Sequence, residues 1–198
     1  MRVALEELET LPGFAWGAWD GVPLRLRDRD NLRHVVLSGH GSETYARLGD
    51  GVSRFLYPND VGLPPEANLY LLGCFQGRED FAPTWALETG LPARQIMGAE
   101  GETETLLSTI FLLHLAEEGF AAIGELFEAW ILANRIIRPK FAEARALYAE
   151  TKGDPLAVLD FLSKCLDLSP VLPFLELAKT RTDALSGLLP LGRQALEP

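Results

Sequence analysis

The chain has 198 residues, 47% of them apolar and 23% charged, with a formal net charge of −10. That length favours one domain with at most an appendage, and it buries a sizeable core without staples. The acidic balance speaks against a nucleic-acid partner or adsorption to anionic lipid, because both need a basic face, and it leaves a peptide substrate permitted.

Met1–Thr10 (MRVALEELET) is acidic, has no continuous apolar stretch of the secretory kind, and predicts one or two helical turns. No later apolar run approaches the ~20 residues of a membrane span. With only two cysteines, Cys74 and Cys165, a reduced pair in the cytoplasm is expected. Pro12, Gly13, Gly17, Gly21 and Pro23 then break the chain around Trp16 and Trp19. Val22–Arg27 (VPLRLR) alternates and predicts a short edge strand, followed by a polar turn at Asp28–Asn31.

His34–Ser38 is a β-branched apolar run closed by Gly39 and Gly41, which predicts a buried strand; Asn68–Gly73 predicts a second. The stretch from Gly41 to Ala67, rich in Gly, Pro and Asp, is long enough for the crossover that a parallel pair requires. Asp80–Thr89 reads as a helix with Pro83 in its first turn and Gly90 as its stop, and Ala93–Gly98 reads as a third strand. This order indicates an α/β fold built on a parallel sheet. Helices are predicted over Thr103–Glu118, Phe120–Ile137, Pro139–Thr151 and Pro155–Leu168. The tail, Ser169–Pro198, is interrupted by Pro170, Pro173 and Pro190 and predicts helix plus irregular chain. The reading therefore divides the chain into an α/β domain over residues 1–120 and a helical extension over 121–198. No internal repeat or low-complexity tract is present.

Two segments carry the chemistry. HVVLSGHG delivers His40 just past the first strand, and NLYLLGCFQG delivers Cys74 just past the second. Ligands of parallel sheets bind outside the carboxyl ends of strands. Neighbouring strands stand about 5 Å apart, so a base and a nucleophile at matching ends come within mutual reach. An imidazole can take the thiol proton and later give it to a leaving amine. The amides of Gly41 and Cys74 are free to face a developing oxyanion, worth ~3 kcal/mol of transition-state stabilisation. Glu79 and Asp80 are candidates to orient the imidazole, although no spacing selects either.

These pieces resemble the cysteine peptidase clan of caspases, gingipains, legumain and separase, and by texture they are most similar to bacterial CHAT domains. The resemblance runs over about residues 32–120: VVLSGHG, LYLLGCFQG, the loosely matching WALETGLPARQIMG, and HLAEEG. It implies a caspase-like α/β/α sheet and a cysteine endopeptidase with His40 as base, Cys74 as nucleophile and Gly41 as oxyanion donor. A protein or peptide is then the substrate, and no metal or organic cofactor is implied. Met1 to Arg33 is shorter than the segment such peptidases carry before the histidine strand, which implies an N-terminally reduced domain. That shortness also motivates an alternative, a catalytically inactive interaction module of the same fold.

Other residues take blander assignments. His34 opens a strand and is expected to be partly buried and hydrogen-bonded. His114 sits on an apolar helix and is expected in the core or at a helix-surface contact, and Cys165, among apolar helix positions, is expected in the core. Glu100 and Glu102 form a weak candidate pocket for a basic side chain; the competing reading is a solvated acidic helix start. The few His and Cys are too scattered for a zinc site.

Overall fold

The structure is a computed structural model that describes residues 23–27, 32–51, 53–152 and 154–175. The readings for Met1–Thr10, Trp16, Trp19, the turn at Asp28–Asn31 and the end of the tail lie outside these residues. The described chain forms two compact units, 23–103 and 104–175.

In the first unit, β1 (Leu24–Arg25) precedes β2 (His34–Ser38), and the chain then makes four two-residue strands. These are β3 (His40–Gly41), β4 (Leu48–Gly49), β5 (Phe55–Leu56) and β6 (Val61–Gly62). β7 (Asn68–Leu72), α1 (Ala82–Thr89) and β8 (Ile96–Gly98) complete it. β2, β7 and β8 form a parallel sheet in the order β2-β7-β8, with His34 opposite Asn68 and Ser38 opposite Leu72. β7 is central, and Leu69, Tyr70, Leu71 and Leu72 are all buried, which explains why it reads as an unbroken apolar run. Leu69 and Leu71 share one face and join a core with Val35, Trp85, Leu91 and Ile96. Pro83 lies in the first turn of α1, and Gly90 closes the helix in the left-handed region at φ 78°.

Two features of this unit differ from the sequence reading. The connection between β2 and β7 is not plain crossover: β3, β4 and β5 form an antiparallel sheet within it, and β6 pairs in parallel with β1. Two-residue strands carry no periodicity to read. The third strand is also shorter than predicted. Pro92 starts a 3-10 turn, and Gln95 turns its amide onto the carbonyls of Pro65 and Ala67 at 2.9 and 2.7 Å, so extended chain begins only at Ile96.

The second unit is helical: α2 (Thr105–Glu118), α3 (Ile123–Ile137), α4 (Phe141–Glu150) and α5 (Pro155–Cys165). The helix grouped above with the first domain, α2, packs here on α3, with Phe111 set edge-on to Phe127 and Trp130 at 6.3 Å. His114 stacks on Phe174 at 5.6 Å, a helix contact as expected. Cys165 is exposed rather than buried, because α5 ends there and its buried stripe of Val158, Leu159 and Leu162 stops one turn earlier. Asp154 caps α5, accepting from the amides of Leu156 and Ala157. Among the described residues no helix is long and apolar enough to cross a membrane.

Candidate active site

The register of the parallel sheet decides what meets at its edge. Ser38 pairs with Leu72, and the Gly39 amide continues the ladder to the Leu72 carbonyl at 3.4 Å. Ser38-Gly39-His40 therefore runs beside Leu72-Gly73-Cys74. The closest approach is main chain on main chain: a Cβ placed on Gly41 would lie 1.9 Å from the Cys74 carbonyl oxygen and 2.6 Å from its nitrogen. Only glycine fits there. The structure thus brings His40, Gly41 and Cys74 together at the carboxyl end of β2 and β7.

The two reactive side chains have separate partners. The His40 ring is exposed and packs on Gly51, where a Cβ would stand 2.8 Å from its Cδ2 and 3.2 Å from its Nε2. The Cys74 sulfur, partly buried, is held by Thr103: the Thr103 amide donates to Sγ at 3.3 Å, and Oγ1 lies 3.5 Å away. The thiol has the Thr103 carbonyl as an acceptor at 3.6 Å. Among the described residues no hydrogen bond joins the imidazole to the sulfur, and none fixes the imidazole to a carboxylate. Asp80 instead pairs with Arg78, and Glu79 is exposed. The Cys74 amide makes no hydrogen bond among the described residues.

The turn that presents Cys74 is strained and clamped. Phe75 has φ 65°, an outlier for a bulky residue that costs about 1–3 kcal/mol. The strain is held by main-chain bonds from the Phe75 amide to the Gly101 carbonyl and from the Gly77 amide to the Ala99 carbonyl, at 2.9 and 2.8 Å. Gly77 and Gly98 make this possible, since a Cβ on Gly77 would meet the Gly98 carbonyl at 2.0 Å. The segment from Ala99 to Thr103 is thereby laid along the turn, which is how Thr103 reaches the sulfur.

Glu100 and Glu102 are both exposed. Neither lines the cleft of about 400 Å³ formed by residues 44–46, residues 57–59 and α1. That cleft includes Tyr45 and Tyr57 together with Asp80 and Glu88. His34 is partly buried beside the Tyr70 ring, and burial pulls its imidazole below the ordinary range while pushing the Tyr70 phenol up. No group of three or more His, Cys, Asp or Glu able to hold a metal ion occurs among the described residues. Sequence reasoning missed Thr103, Gln76 and Arg78. The one available signal was a glutamine inside the apolar stretch LYLLGCFQG, where an uncharged polar group has to find buried partners.

Comparisons with protein-family models, with curated proteins and with solved structures give no match to this chain.

Proposed function

We propose that the protein is a cysteine endopeptidase of caspase-like, CHAT-type architecture, with His40 and Cys74 as its catalytic dyad. The observation that supports this reading is the main-chain contact of Gly41 with Cys74, which aligns the two residues at the carboxyl end of neighbouring parallel strands. In the reaction His40 swings off Gly51 and takes the thiol proton. The thiolate adds to the substrate carbonyl carbon, and the oxyanion so formed accepts from the Cys74 amide. Collapse of this intermediate expels the amine, which receives the proton from His40, and leaves a thioester on Cys74. Water activated by the same imidazole then hydrolyses the thioester. Catalytic hydrogen bonds are often long in an unliganded site and close only around substrate.

A second reading, an inactive module that binds a partner through the same edge, is favoured by the side chains as they stand: His40 rests on Gly51 and the sulfur on Thr103. One experiment separates the two. A peptide-library cleavage screen is run on the wild type, Cys74→Ala and His40→Ala, with iodoacetamide labelling of Cys74 and Cys165 alongside. Cleavage that both substitutions abolish, with Cys74 labelled well ahead of the exposed Cys165, supports the peptidase. No cleavage and slow labelling of Cys74 leave the binding module.

A further inference from the structure

Two side chains of the Cys74 turn reach the segment that follows His40. Gln76 is wholly buried, at 0% exposure. Its Nε2 donates to the Cys74 carbonyl at 3.1 Å and, more weakly, to the Ser42 carbonyl at 3.5 Å. Its Oε1 accepts from the indole of Trp85 at 3.1 Å. An indole N–H can only donate, so Trp85 dictates which end of the amide faces which way. Arg78, which is partly exposed, is oriented by a carboxylate. Its Nε and Nη2 fork onto the Asp80 carboxylate at 2.9 and 3.1 Å, which leaves Nη1 for the Glu43 carbonyl at 3.2 Å. Consecutive carbonyls beyond the histidine, those of Ser42 and Glu43, are thus gripped by alternate side chains beyond the cysteine.

We propose that Gln76 and Arg78 form a clasp that sets the distance between the His40 segment and the Cys74 turn, and that the clasp decides whether the imidazole can act on the thiol. Both are positioning residues, since neither touches a reacting atom. The inference rests on the dyad reading above and extends it to the residues that assemble the dyad. Each arm has its own anchor: Trp85 orients the buried amide, and Asp80 holds the guanidinium. A lysine at position 78 would supply a point charge but not the fork, so it could not hold Asp80 and Glu43 together.

The test is a set of thermodynamic cycles read on the thiol itself. The rate of iodoacetamide labelling at Cys74 is measured by mass spectrometry with and without His40→Ala, in the otherwise unaltered protein, in Gln76→Leu and in Arg78→Gln. Labelling of Cys165 in the same molecules serves as the internal reference. In the unaltered protein His40→Ala is expected to change the Cys74 rate by roughly tenfold, the scale on which a neighbouring imidazole activates a thiol. In Gln76→Leu and Arg78→Gln that dependence is expected to shrink to about twofold or less, a non-additivity larger than the roughly twofold scatter of independent sites. Arg78→Gln replaces a partly exposed side chain, so the test survives if Gln76→Leu fails to fold. An equal His40 dependence in all folded proteins overturns the clasp and leaves the dyad standing. No His40 dependence in the unaltered protein overturns the dyad, and the clasp with it.

Discussion

Replacing Gly41 with alanine probes the juxtaposition of the two motifs at its tightest point. The added methyl would stand 1.9 Å from the Cys74 carbonyl oxygen, 2.6 Å from its nitrogen and 2.7 Å from its carbonyl carbon, where ordinary contact begins at 3.4 Å. All three atoms are main chain, so no side chain can swing aside, and the two segments have to part by more than an ångström. Overpacking of this kind costs about 1–3 kcal/mol. The upper part of that range applies here, because the Gly39 amide bonds the Leu72 carbonyl and Gln76 binds the next turn, which leaves little room to yield. On the peptidase reading the effect on chemistry is larger than the effect on stability, since a misplacement of about 1 Å at reacting groups lowers a rate by about a hundredfold. Urea denaturation gives the first quantity, and peptide cleavage with Cys74 labelling the second. Gly124→Ala is the matched control. It lies in the first turn of α3 with nothing within 4 Å of the added methyl, and it is expected to stabilise by about 0.5–1 kcal/mol. A Gly41→Ala protein with the wild-type urea midpoint and wild-type thiol reactivity would refute main-chain contact between residues 41 and 74.

Trp85→Phe keeps an aromatic ring in the core but removes the indole donor to the buried Gln76 carbonyl oxygen, and it should cost about 1–3 kcal/mol in urea denaturation; a wild-type midpoint would mean that the amide finds another partner. Asp154→Ala removes the acceptor for two amides at the start of α5, at 2.9 and 3.3 Å, and should destabilise the helical unit by about 1 kcal/mol, which a shift in the urea midpoint would report. For His34, burial holds the folded pKa below the ordinary 6.5. Between the two values the unfolded chain carries more protons, so stability falls as the pH falls. The contribution is complete above about pH 6.5 and is lost as the pH drops through the folded value. Urea midpoints measured across this window should decline less steeply in His34→Gln, and identical slopes would contradict the assignment.

Much of the sheet was legible because its pattern involves many residues. β7 lies between two partners and reads as a continuous apolar run, while Pro83 and Gly90 punctuate α1. The long helices could be read for the same reason. What escaped was structure without a pattern. The strands β3, β4 and β5 are each two residues long and are fixed by pairing alone, which no period of two or 3.6 can reveal. The early half of the third strand was lost to Pro92 and to the reach of Gln95 toward residues far back in the chain. Cys165 occupies an apolar helical position, but the helix ends at that residue, and a stripe continues into the core only while the helix does.

The same division runs through the site. His34 pairs with Asn68 and Ser38 with Leu72, and His40 and Cys74 each follow two residues beyond that last pair, so one register carries both residues to the same end of the sheet. That register is fixed by burial: a slip by one residue would turn Leu69 and Leu71 away from the core they share with Trp85. Backbone proximity is therefore supported by a large apolar area. The final side-chain directions are not. The sulfur is turned to Thr103 by an amide at 3.3 Å and a hydroxyl at 3.5 Å, contacts that each contribute about 1 kcal/mol or less. On the peptidase reading proposed above, a substrate carbonyl presented to the sulfur would outweigh such contacts while leaving the register untouched. The alignment of the strands thus sets which residues stand side by side, and the weak tether to Thr103 sets the thiol's resting direction.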